Sequence, residues 1–385
     1  MDAPSRHRRQ AVHRFPLTYL LIPPILLAIL TGIILFRHSD TSIYMLYSQC
    51  HARSRIPWLS HIPVLGSPLC FIVSFFSEAL SAPARSLGII PPILSFIAGL
   101  LTVATVEAAR ICNAPNVLIA YPTGPWLVFN LVGGALVWQL VIIPAFFHRS
   151  REIISARRAG NPTATPTLAE TSGRGAADPT FGSSMRHLTK VAEIVAIPVA
   201  VAVGYIIPSV VMLTLRPDEP IPILVWLFFP LWVSAVRQLV RKAMLLLQEE
   251  WHASFHLESS KLALAGMYAV PILCSAISQA LLIWSLVQPD DRKEMTRATI
   301  KFIVIDMSFI GLTVLYWVLV EAGWQVALVM VAASMVLGPG AGVCIGWMYR
   351  ERIVDLDRSV TVVAVGAPRR SSRDASPSED TPLLR

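Results

Sequence analysis

Residues 15–36 read FPLTYLLIPPILLAILTGIILF, without one charged side chain. About 20 apolar residues suffice to carry a helix across a 30 Å hydrocarbon core, so the stretch predicts a membrane span. Arg6, Arg8, Arg9 and Arg14 precede it and Arg37 follows it. The apolar run is too long for a cleaved leader, and no small-residue cleavage site closes it. It therefore reads as a retained span or signal anchor.

Outward from that stretch the pattern repeats. Residues 87–108, 126–147, 191–213, 221–240, 262–287, 299–320 and 324–348 are each apolar and near span length. Gly66–Leu80 is a ninth candidate, short and carrying Glu78. The whole chain of 385 residues is 54% apolar, with a mean hydropathy of +0.60. Only 15% of it is charged, against about 25% in soluble domains. Lipid offers no partner for open backbone groups, so the runs must be helical. They are also too long and unbroken for the alternating strands of a β-barrel. The expected fold is all-α: a polytopic transmembrane helical bundle of about 8–9 spans.

Composition divides the chain into an N-terminal helical half (1–148), a basic loop (149–190), a C-terminal helical half (191–350) and a tail (351–385). The loop is rich in Ala, Gly, Thr and Pro and holds seven basic residues against three acidic ones. Such a segment cannot build a core and is expected to be disordered, as is the tail. The bias of Lys and Arg toward the inside puts N-terminus, loop and tail on the cytosolic face. Nine simple spans would leave the tail on the opposite face, so either one apolar segment is not a simple span or one basic region faces outward. The net charge of +8 lies at span ends, in the loop and in the tail. That pattern fits anionic lipid head groups rather than nucleic acid. Cys50, Cys70, Cys112, Cys274 and Cys344 have no metal or CxxC spacing and read as small apolar packing residues. Glu379–Leu384 (EDTPLL) fits an acidic dileucine sorting signal. With it the destination is a vacuolar or endosomal membrane, and without it the endoplasmic reticulum.

Polar residues inside spans are functional candidates, because a carboxylate at a helix centre costs at least about 2.5–3.5 kcal/mol. Asp306 is the deepest, with apolar Phe302, Ile303, Phe309 and Ile310 at i±3 and i±4. Glu321 ends the same run. Glu107 ends another, with Arg110 at i+3 positioned for an ion pair. Asn130, Trp138 and Gln139 lie inside 126–147, where Gly133-Gly134 permits close helix approach. Each also has a plain structural reading: an interhelical hydrogen bond, an interfacial pair, or packing. Arg237 and Gln238 read as side chains reaching the interface. No phosphate-binding loop is present. His252 and His256 are spaced as HxxxH without the glutamate of HExxH. Asp290-Asp291-Arg292-Lys293-Glu294 only approaches an aspartate-rich magnesium motif. No metal and no cofactor is expected.

Asn113-Ala114-Pro115, Tyr121-Pro122-Thr123-Gly124-Pro125-Trp126 through Asn130, and the continuation to Trp138-Gln139 resemble the fungal membrane-bound terpene cyclases of the ascofuranone-cyclase and paxilline-cluster type. Tyr316-Trp317 through Glu321-Ala322-Gly323-Trp324, and Gly338-Pro339-Gly340-Ala341-Gly342, extend the resemblance. It implies acid-initiated cyclisation of a lipid-soluble, prenylated and usually epoxidised precursor, without loss of diphosphate. A buried acid would start the cascade, with Asp306 ranked ahead of Glu321 and Glu107. Trp138, Tyr316, Trp317 and Trp324 would face passing cations. The rival class is a multi-span transporter or channel, although no internal repeat relates the two halves.

Overall fold

The computed structural model describes residues 12, 15–38, 66–80, 84–158, 186–215, 219–247, 249–290 and 292–351. Among them the regular structure is helical throughout, with no strand. In chain order the helices are α1 (Leu17–His38), α2 (Gly66–Leu80), α3 (Ala84–Ala108), α4 (Val117–Ala120), α5 (Thr123–Val132), α6 (134–158), α7 (Glu193–Thr214), α8 (Pro220–Leu227), α9 (Phe229–Leu247), α10 (Lys261–Leu286), α11 (Glu294–Glu321), α12 (Trp324–Leu337) and α13 (339–351).

Five of these, α1, α3, α7, α10 and α11, are long and apolar enough to cross a membrane. A sixth candidate is α8 with α9, bent by 60° at Phe228. Large apolar side chains such as Leu26 and Ile29 on α1 and Leu273 and Ile277 on α10 are exposed on the outside of the bundle, as lipid contact requires. The count of eight or nine expected from the sequence is not reached, because several apolar runs are interrupted.

Residues 126–147, expected as one span, fold back on themselves. α5 ends at Gly133, whose φ of 125° suits glycine alone, and α6 then returns. Cross-contacts join the two arms. Trp126 and Trp138 lie ring to ring at 6.0 Å. Asn116 Nδ2 donates to the Ala145 carbonyl at 3.4 Å, and Arg149 Nε to that of Cys112 at 2.6 Å. A continuous helix at 1.5 Å per residue would hold Trp126 and Trp138 roughly 18 Å apart. Residues 324–348 do the same. α12 ends at Gly338, with φ 91°, and α13 packs back so that Cβ atoms on Gly342 and Gly346 would meet Met330. α13 also lies against α3, where a Cβ on Gly99 would come within 2.7 Å of the Gly340 carbonyl. Small residues permit such backbone contact.

Ends of α1, α3, α7, α9, α11 and α13 meet at one basic end. Glu193 at the start of α7 pairs with Arg237 and Arg241 of α9. Glu107 at the end of α3 and Glu321 at the end of α11 both pair with Arg350 of α13. Tyr316 Oη donates to the Leu20 carbonyl at 2.9 Å and packs on Phe147, which brings the start of α1 toward the same end. At the opposite end Gly88 meets Ser285, and Thr296 donates to Glu78 at 2.8 Å.

The basic loop is shorter than its composition suggests. α6 continues through Arg158, carrying an Arg149–Glu152 pair at 2.8 Å. On the far side, fully buried Leu188 bridges Arg110 and Phe255. Residues 159–185, the tail from 352 and its dileucine lie outside the described residues. Cys112, Cys274 and Cys344 are free, whereas Cys70 is disulfide-bonded and is not simply a packing residue.

Candidate functional site

At the basic end, buried charges are paired with one another. Glu107 Oε1 accepts from Arg110 Nε at 3.1 Å, Trp347 Nε1 at 3.1 Å and Arg350 Nη1 at 3.2 Å. Its Oε2 accepts from Asn113 at 3.1 Å. Glu351 Oε1 meets Arg110 Nη2 at 2.9 Å and Arg350 Nη1 at 2.8 Å, and Arg350 also pairs with Glu321. The Arg350 guanidinium lies 4.5 Å from the centre of the Trp347 ring. Thus Glu107 and Glu321, two of the three acids singled out in the sequence, belong to one network. Arg350, Glu351, Trp347 and Asn113 complete it. The sequence offered a signal for three of these: Trp347, Arg350 and Glu351 lie at i, i+3 and i+4 on one helix face at the end of an apolar run.

Asp306 is elsewhere. From 306 to 321 is roughly 22 Å along α11 at 1.5 Å per residue. Its Oδ1 accepts from the Ala135 N–H at 3.0 Å and its Oδ2 from the Gly134 N–H at 3.2 Å. These are donors that the first turn of any helix leaves unpaired, and α6 begins at Gly134. Asp306 therefore caps the tip of the first hairpin from a neighbouring helix, and the positive end of α6 faces a carboxylate. Of the buried carboxylates Glu107, Glu193, Asp306 and Glu351 among the described residues, Asp306 alone faces no cation.

A second helix break lies close by. Leu227 ends α8, and its carbonyl accepts from Asn130 Nδ2 at 2.6 Å. Asn130 thus satisfies the group that the bend at Phe228 frees. Leu69, near the start of α2, packs on Leu227. Gln139 is fully buried in a π-helical turn, Trp138–Ile142, and donates to Thr31 at 3.0 Å and Thr313 at 3.3 Å. It ties α6 to α1 and α11. A matching π-helical turn, Ala202–Ile206, lies in α7. Such turns are frequent at functional sites.

Aromatic rings connect the two regions. From Phe302, one turn before Asp306, contacts run through Phe75, Phe76, Trp226, Phe229, Trp126, Trp138 and Trp317 to Trp347, each 4.7–6.3 Å from the next. Trp138 and Trp317 are in this run as expected from the sequence. Tyr316 is beside it, on Phe147. Trp324 is not: it opens α12 at 65% exposure, on the outside of the bundle. Trp126, not among the rings the sequence singled out for this lining, joins Phe229 to Trp138 within the run.

One cleft of about 260 Å³ opens at the basic end, between α3, the segment 114–126 and α9. Trp126, Leu101, Pro230 and Val233 give it an apolar floor, and Thr105, Thr189, Ser234, Gln238, Arg237 and Arg241 line it with polar groups. Arg237 and Gln238 therefore do more than reach the interface. The two histidines of the HxxxH spacing do not share a helix face. His252 ends a short 3₁₀ turn, and His256 stacks on His187 at 4.9 Å.

No protein-family model, curated protein or solved structure matches this chain. The fold and site define its class: an all-helical protein whose apolar helices are of membrane-crossing length, with a buried charge network at one end and a capped hairpin tip deep inside.

Proposed function

We propose that the protein is an integral membrane enzyme that cyclises a lipid-soluble, prenylated and epoxidised precursor by acid initiation. One observation carries this reading: Asp306 is a buried carboxyl group deep in the bundle, held only by backbone N–H groups, beside Phe302 at the foot of a run of aromatic rings. No arginine pairs with it to hold it ionised. Protonation of the epoxide oxygen breaks one C–O bond and leaves a carbocation, which neighbouring double bonds attack in turn. Loss of a proton from the last cation restores the acid, so the product is an isomer of the substrate and no co-reactant is consumed. Aromatic faces stabilise such cations, and an interior without water protects them from quenching.

The reading includes a topology. α1, α3, α7, α8 with α9, α10 and α11 cross the bilayer. The hairpins 123–158 and 324–351 enter and leave at the basic end, and α2, at 15 residues, does not cross. N-terminus, basic loop and tail then share the cytosolic face, which removes the conflict that nine simple spans create.

The test is expression of the full chain in yeast microsomes fed epoxidised prenylated phenols. The expected outcome is a cyclised isomer of unchanged mass, lost in Asp306→Asn. Near-normal turnover by Asp306→Asn with none by Glu351→Gln would move the acid to the basic-end network. Normal turnover by both would overturn acid initiation. A transporter is the second reading, favoured by the two broken helical hairpins, a device of membrane carriers. Uptake of an unmodified substrate without isomer formation would establish it.

A further inference from the structure

The cleft at the basic end has chemistry that the cyclisation step does not use. Its two guanidinium groups share one carboxylate: Arg237 Nε lies 2.8 Å from Glu193 Oε2, and Arg241 Nη1 lies 3.2 Å from Glu193 Oε1. Glu193 is fully buried. No Asp or Glu lines the cleft, so one of the two positive charges faces it uncompensated. The hydroxyl-bearing Thr105, Thr189 and Ser234 line the same cleft, as does the buried indole of Trp126. A net positive charge with hydroxyls above an apolar floor matches one ligand chemistry: an anionic oxygen head, phosphate or carboxylate, carried on an apolar tail.

We infer that this cleft is a head-group site for an anionic amphiphile. Its position relative to Asp306 gives it a use. Trp126 packs on Phe129 at 4.8 Å, and Phe129 lies against Gly134, whose N–H is held by Asp306. α5 is thus the wall between cleft and acid, 10 residues long and therefore roughly 15 Å. A head held by Arg241 and a tail laid along α5 would bring a chain of farnesyl length to the acid. This use of the site rests on the cyclase reading, whereas binding of the head does not.

The test uses full-length protein in phosphatidylcholine nanodiscs and radiolabelled dodecyl phosphate, with empty discs as background. Saturable binding is expected, and dodecanol, which lacks the charge, should show none. Arg241→Gln should weaken binding roughly tenfold, the effect of one charge-assisted hydrogen bond. It leaves Arg237 to neutralise Glu193, so the fold is kept. Ser234→Leu should fill the cleft and abolish binding. Displacement by phosphatidic acid added to the discs would identify the occupant as a membrane lipid head, and absence of displacement as a free amphiphile. Equal binding of dodecanol, or unchanged affinity in both variants, would overturn the site. Asp306→Asn should bind as the parent does. Were the parent protein to form no isomer while Arg241→Gln lost binding, the cyclase reading would fail and the site would stand.

Discussion

Glu107 and Asp306 are both buried carboxylates near the ends of the same aromatic run, and they are held by opposite means. Glu107 is surrounded by two guanidinium groups, an indole and an amide. Asp306 receives two backbone N–H groups and nothing else. The first arrangement fixes the charge and joins α3 to α11 and α13 at the basic end. The second satisfies a helix terminus that the fold itself leaves open. A carboxylate among cations is locked into ion pairs; one held by backbone donors alone has no fixed counter-charge, and the proposed role as an acid depends on that difference.

The sharpest way to break this comparison is to remove each acid in turn and read stability. Glu107→Ala leaves Arg110 with Glu351 alone and Arg350 with Glu351 and Glu321, and breaking a buried pair costs about 3–5 kcal/mol. The expected outcome is loss of monodisperse protein after detergent extraction. A normal melting temperature for Glu107→Ala would show that the network is dispensable.

Asp306→Asn should divide the other way. It keeps one carbonyl acceptor at the hairpin tip and gives up about 1 kcal/mol of hydrogen bonding. Activity should nevertheless fall by about 10²–10⁴, the usual contribution of a general acid. Stability and turnover measured on one preparation would separate the two roles. A melting temperature as low as that of Glu107→Ala would make Asp306 a structural cap.

Much of this contrast was legible in the sequence, and the part that was not has a physical cause. Apolar length announced the helices, and Asp306 and Glu107 stood out because charge is rare in such runs. Neither the hairpin turns nor the partners of Asp306 could be read. A hydropathy profile is blind to direction, so residues 126–147 look the same whether they cross or turn back. The turns depend on Gly133 and Gly338, whose positive φ values appear only in three dimensions, and Gly133-Gly134 read as a packing motif. Asn130 read as interhelical glue and does join α5 to α8, but its acceptor, the Leu227 carbonyl, is open only because α8 and α9 bend there. Arg350 and Glu351 lie 240 residues or more beyond Arg110 in the chain, so no local spacing linked them.

A smaller effect sharpens the account of the helix breaks. Asn130→Leu leaves the Leu227 carbonyl buried without its donor, at a cost of about 1–3 kcal/mol. The variant should melt lower than the parent and still bind dodecyl phosphate, since the cleft lies at the far end of α5. An unchanged melting temperature would mean that the bend at Phe228 needs no such support.

The smallest effect is expected where the same ion-pair chemistry meets water. Arg292 donates to Asp290 at 2.7 Å and 2.9 Å, a two-pronged contact, but Asp290 lies at the surface between α10 and α11. Hydrogen bonds from Arg292, with the charges of Arg292 and Arg297 behind them, hold its carboxyl well below the ordinary aspartate value of 3.8. A group whose folded pKa is depressed contributes stability above its unfolded value and loses it as pH falls through the folded one. The contribution of this pair is therefore complete above about pH 4 and fades only in stronger acid. Solvent and salt screen it, as they do exposed pairs generally. Asp290→Asn should leave the melting temperature at pH 7 unchanged within error in physiological salt, and flatten the acid limb of the stability profile slightly. A loss at pH 7 comparable to that of Glu107→Ala would show that pairing geometry, rather than burial, sets the strength of these contacts. The contrast between the network at the basic end and the lone acid at the hairpin tip would then lose its physical basis.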